Sequence, residues 1–133
     1  SPAAQVGELV AGIPSSLYET VWIDIETNPS AGCSWAGYDA NSNCQYLNDI
    51  INALRSNGKN IGVFSSGFMW NSIFGNRAAC PSVAGHPLWY AHYDNIPSFE
   101  DFSSFGGWIK PTVKQFAGQS PVCGFTVNRN YKA

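Results

Sequence analysis

Charge is scarce in this sequence. Only 12% of its 133 residues are Asp, Glu, Lys or Arg, and the formal net charge is −2. The seven Lys and Arg residues form no basic stripe that could follow a phosphate backbone, so nucleic acid is not an expected partner. Apolar runs are only a few residues long, so no helical membrane span is expected. The two histidines, His86 and His92, stand in no metal-ligating pattern, and the four cysteines lack C-x-x-C spacing. No metal or other cofactor is expected. An N-x-[ST] glycosylation sequon is also missing, because Asn28 is followed by Pro29.

What the chain does have is apolar and aromatic. Hydrophobic residues make up 44% and aromatics 14%, enough for one folded domain over residues 1–133 and too much for disorder. An even cysteine count, low charge and many Gly, Ser and Asn loops favour disulfides and an oxidising, secreted or lumenal setting. Cys33 and Cys44 bracket one loop and are expected to pair, with Cys80 and Cys123 as the remainder. The opening Ser1-Pro2-Ala3-Ala4 has the look of a processed or truncated start, with no signal peptide in view.

The chain is organised around Thr20-Val21-Trp22-Ile23-Asp24-Ile25-Glu26. β-branched and aromatic residues alternate there with two carboxylates, the pattern of a strand. Period two puts Trp22, Asp24 and Glu26 on one face and Ile23 and Ile25 on the other. The loop residues from Thr27 to Gly32 leave Glu26 at the strand's C-terminal end, where parallel α/β sheets keep their sites. Two carboxylates so placed disturb each other's proton affinity, as acid/base chemistry requires.

Around that strand, Val6, Leu9, Val10 and Ile13 mark a helix over residues 1–13. A second helix is expected from about Ser42 to Asn57, with Leu47, Ile50, Ile51 and Leu54 inward and Gly58 as its left-handed cap. Further strands are expected at Ile61–Ser65, Leu88–Tyr93, Pro111–Phe116 and Phe125–Asn128, with a short helix at Phe68–Phe74. This rhythm is that of a parallel α/β sheet, degraded at its end. Nucleophilic catalysis finds little support. Ser65-Ser66-Gly67 makes no G-x-S-x-G elbow, and neither histidine has an obvious carboxylate to orient it.

Several stretches, taken in order, closely resemble glycoside hydrolase family 25, in its eukaryotic nematode and protist branch of Chalaropsis-type lysozymes. They are Trp22-Ile23-Asp24-Ile25-Glu26, Ile61-Gly62-Val63-Phe64-Ser65-Ser66, Pro87-Leu88-Trp89-Tyr90-Ala91-His92-Tyr93, and Phe105-Gly106-Gly107-Trp108 with Lys114-Gln115-Phe116. The resemblance implies a modified (β/α) barrel, here without its first strands, and hydrolysis of the β-1,4 bond between N-acetylmuramic acid and N-acetylglucosamine in peptidoglycan. Glu26 would be the general acid/base, and Asp24 would orient or stabilise the reacting 2-acetamido group. Trp89, Tyr93, Phe64, Gln115 and Asn128 would bind substrate. The implied setting is secretion or a lysosomal or phagosomal lumen.

Departures from the family pattern are equally specific. The family's first strand, with another active-site aspartate, has no counterpart, so the domain is expected to be N-terminally incomplete. Where the family's last strand reads Val-Asp-x-Asn, this chain reads Val127-Asn128-Arg129-Asn130, and Phe64 and Phe116 replace common tyrosines. A catalytically inactive, glycan-binding or matrix protein is the alternative function. The outer side of the strand at Thr20–Glu26 is expected to be covered, by an N-terminal segment, a second copy or another chain.

Overall fold

The computed structural model describes residues 1–30, 32 and 34–133. Helix α1 (Pro2–Gly12) is capped by the Ser1 hydroxyl, which accepts from Ala4 N–H. Strand β1 (Thr20–Asp24) follows, then α2 (Ala40–Ser56), β2 (Asn60–Ser65), α3 (Gly67–Phe74), β3 (Leu88–Ala91), β4 (Val113–Val122) and β5 (Phe125–Tyr131). Asp39 caps α2 by accepting from Ser42 N–H. At the other end Gly58 takes a left-handed φ of 67°, which lets Lys59 N–H reach back to Leu54 O.

The five strands make one curled, half-barrel sheet in the order β1-β2-β3-β4-β5. The first four are parallel and β5 returns antiparallel to β4. The expected strand at Leu88–Tyr93 stops at Ala91, because the chain turns away through Asp94 and the left-handed Asn95 (φ 61°). The last two strands are longer than expected and form a single hairpin, closed at Cys123-Gly124, both with positive φ. Positive φ at both central residues matches the right-handed twist of the paired strands.

Each face of the sheet has its own chemistry. Ile25, Val63, Leu88 and Tyr90 are buried on the side that α2 and α3 cover, with Leu47, Ile51, Leu54, Trp70 and Phe74 packed onto them. The register Asp24↔Phe64, Phe64↔Trp89 puts Trp22, Phe64 and Trp89 together on the opposite, concave face. There Trp89 stands edge-on to both Trp22 and Phe64, at centroid distances of 5.7 and 5.0 Å. Gly62 makes this possible, since a Cβ at that position would drive into the Trp22 ring.

The disulfide differs from the expected one. Cys44 lies on α2 rather than beside a loop, and it is bonded to Cys80, whose Cα is 5.6 Å away. The reason is the fold: α3 and the loop after it double back onto α2, bringing Cys80 within reach. The Cys33 half of the expected pair lies outside the described residues. Cys123, expected to join Cys80, is exposed and free at the hairpin tip.

Candidate active site

Glu26 stands two residues past the end of β1 and lines a cleft of about 470 Å³. Tyr90, His92, Tyr93, Asp101 and Arg77 line the same cleft. Burial pushes the Glu26 carboxyl up from the usual carboxylate range, and the neighbouring Asp24 charge pushes it further. Asp24 is also pushed up, by burial. The backbone at Glu26 is pinned from two sides. Its carbonyl accepts from Trp35 Nε1 at 3.0 Å, and the preceding Ile25 carbonyl accepts from the buried Ser65 hydroxyl at 2.8 Å. A carboxyl that holds its proton longer than usual, on a fixed strand end beside a second carboxylate, is equipped to give and take a proton.

The other residues expected at the site divide into three groups. Tyr93 reaches the cleft, and its hydroxyl donates to the Gln115 side-chain carbonyl, so Gln115 acts through Tyr93. Phe64 and Trp89 belong to the concave aromatic face, where the Trp89 indole N–H donates to Asn130 Oδ1 at 3.0 Å. Asn128 joins neither group. Its Oδ1 accepts from Gln119 N–H, opposite the irregularity in the β4–β5 pairing, while Asn130, paired with Gln115, holds the place on the concave face. Ser66 is occupied as the N-cap of α3, accepting from Met69 N–H.

One constellation escaped the sequence. Lys114 has no side-chain surface in water, and its ammonium donates to Asp94 Oδ2 and Asp101 Oδ1, both at 2.7 Å, and to Ile96 O at 3.1 Å. Asp101 also accepts from Tyr90 OH at 2.8 Å and faces His92 Nδ1 at 2.6 Å. Burial by itself would raise Asp101, but the hydrogen bonds from Lys114, His92 and Tyr90 outweigh it and hold the carboxyl at about 2. The hydrogen bond from Lys114 likewise lowers Asp94. Tyr90 is raised, by burial and then by its bond to the Asp101 carboxylate. His92 therefore does have a carboxylate to orient it, contrary to expectation. The chain distance between His92 and Asp101 hides the pair. Its one visible trace is Lys114, a cation on a strand position whose alternation points into the core. Although His92, Asp94 and Asp101 converge as cation ligands would, the Lys114 ammonium already sits where that charge is needed.

The comparisons agree with this fold. A family model described as Lysozyme-like protein 1 matches residues 1–116. Among curated proteins, the chain is 39% identical over 131 residues to "Probable GH family 25 lysozyme 3" of Dictyostelium discoideum, covering 98% of this chain and 26% of that protein. It is 40% identical over 116 residues to "Counting factor 45-1" of the same organism, covering 86% of this chain and 36% of the relative. The chain thus spans well under half the length of these relatives. Among solved structures, a muramidase from Acremonium alcalophilum superposes with a TM-score of 0.77 at 19% identity, over 100% of this chain and 62% of that one. A family GH25 lysozyme from Aspergillus fumigatus superposes at 0.64 and 19% identity, over 84% of this chain and 50% of the other. By fold, by family match and by the residues it shares with these proteins, the chain belongs to the glycoside hydrolase family 25 lysozymes.

Proposed function

We propose that the protein of which this chain forms at least a part is a muramidase, hydrolysing the β-1,4 bond after N-acetylmuramic acid in peptidoglycan. The observation that carries this reading is the place of Glu26, just past the end of β1 on the wall of a cleft, with Asp24 two residues before it. Protonated Glu26 donates to the leaving glycosidic oxygen, while Asp24 orients the 2-acetamido group whose carbonyl oxygen displaces it at the anomeric carbon. Glu26, now a carboxylate, then takes a proton from the water that opens the intermediate. The Cys44–Cys80 bond supports a secreted or phagosomal-lumen location.

Glu26→Gln removes only the transferable proton. It should lower release of reducing ends from bacterial walls by about 10²–10⁴-fold and leave the near-ultraviolet circular dichroism unchanged. Turnover close to that of the unmodified protein would end this assignment.

The second reading, a glycan-binding or matrix relative without turnover, is favoured by one fact. Two of the similar proteins are named for counting factors and not for hydrolysis. It predicts that peptidoglycan binds and is never cut.

A further inference from the structure

A second cavity, of about 480 Å³, shares no lining residue with the cleft that holds Glu26. Trp35 and Tyr38 reach it from the loop after β1, and Gln5 reaches it from α1. Ser42, Asn43 and Tyr46 come from the first turns of α2, where a four-residue step keeps Ser42 and Tyr46 on one face. Trp35 and Tyr46 meet edge-on, with centroids 6.1 Å apart and planes at 85°, and so form a corner. Tyr38 keeps 72% of its surface in water.

Asn43 gives this cavity a fixed polar group. Only 4% of it is exposed, and its Nδ2 donates to Trp35 O at 3.3 Å and Ile73 O at 3.0 Å. Those two bonds use both amide protons, and Oδ1 accepts from none of the described residues. A buried acceptor in that state calls for a donor from solvent or a ligand. The Gln5 side-chain amide and the Tyr38 and Tyr46 hydroxyls likewise bond to no described residue. No charged side chain lines the cavity, so it offers nothing to grip a phosphate, a carboxylate or an ammonium. What suits it is a ligand with an apolar face and a rim of neutral donors and acceptors. A pyranose has both.

We propose that this cavity is a second, non-catalytic binding site, for an uncharged pyranose. The C–H face of the sugar lies against the exposed tyrosine rings, and one of its O–H or N–H groups donates to Asn43 Oδ1. This inference rests on the reading of the protein as one that acts on glycans only for the choice of a sugar as the ligand; neither Glu26 nor Asp24 takes part in it.

The test is an NMR titration of the Glu26→Gln protein, in which turnover cannot consume the ligand. The probes are triacetylchitotriose and maltotriose, each taken to about 20 mM. The side-chain amide resonances of Gln5 and Asn43 should move and saturate with at least one of them. Saturation by triacetylchitotriose alone assigns the donor to an acetamido N–H, and saturation by both assigns it to a hydroxyl. Tyr38→Ala, a change at an exposed position, should weaken this binding about tenfold. Tyr93→Ala, which alters only the catalytic cleft, should leave it unchanged. Amides that stay still with both sugars, or that respond in full after Tyr38→Ala, would overturn the proposal. So would loss of the response in Tyr93→Ala, which would put the sugar in the cleft. A proline-rich peptide that saturates the same amides where neither sugar does would assign the cavity to a peptide and overturn it too. Failure of the muramidase assignment reads out separately, as no reducing ends from the unmodified protein on bacterial walls.

Discussion

Lys114 and Asp101 are joined at 2.7 Å across the end of the sheet, the ammonium wholly out of water and the carboxylate partly in it. The bond ties β4 to the turn between β3 and β4 and so fixes one wall of the cleft. Lys114→Met fills the same space but strands Asp94 and Asp101. Stranding one partner of a buried ion pair costs about 3–5 kcal/mol. The lower figure applies here, because the two aspartates keep 18% and 21% of their side-chain surface. A fall in Tm of about 10 °C is expected by calorimetry; a change of a degree or two would show the cluster to be incidental.

The same cluster sets the response to acid. A carboxyl whose folded pKa lies below its unfolded value stabilises the fold above the unfolded value and loses that contribution as pH falls. Asp101, held at about 2, and Asp94, also lowered, should therefore withdraw stability below about pH 4. Tm measured from pH 5 to pH 2 should drop steeply in the unmodified protein. In Lys114→Met the drop should be shallower, since the shifts depend on the lysine.

Glu26 carries the opposite shift. Asp24 is the second of the two causes that raise it, after burial. Asp24→Asn should move the Glu26 titration to lower pH without returning it to an ordinary value. Carbon-detected NMR of the glutamate carboxyl measures this whether or not the variant turns over substrate. An unmoved titration would mean that the two carboxyls do not sense each other.

Cys44 and Cys80, 36 residues apart, should appear as a linked pair in unreduced peptide maps. In the chain-entropy description a loop of that size contributes about 4 kcal/mol. Cys44→Ala with Cys80→Ala should lower the urea midpoint correspondingly. Recovery of a Cys33–Cys44 peptide instead would contradict the pairing.

Much of this arrangement was legible in the sequence because it is local. Ala40–Ser56 is helical for reasons written within it: an Asp39 cap, inward leucines and isoleucines, and Gly58 beyond its end. The alternation in Trp22-Ile23-Asp24-Ile25-Glu26 put the right residues on each face. What escaped depends on distance along the chain. Nothing near Cys44 says that Cys80 returns to it, and nothing near His92 says that Asp101 will be folded against it. The surroundings of Asn128 were hidden for a related reason. An irregular pairing with β4 separates Ala117 from Ser120, and Asn128 is used up in bridging it.

Strand β1 is the outermost strand of the sheet, and only β2 lies beside it among the described residues. Ile25 N–H donates inward to Phe64 O. Alternation along a parallel strand therefore turns the peptide groups of Trp22 and Asp24 outward. The rim left unzipped is the stretch of main chain from which the Asp24 carboxylate hangs. Any strand laid against it would grip that carboxylate's own backbone and steady it, much as Ser65 steadies the backbone at Ile25. Completion of the sheet and adjustment of the acid pair would then be a single event.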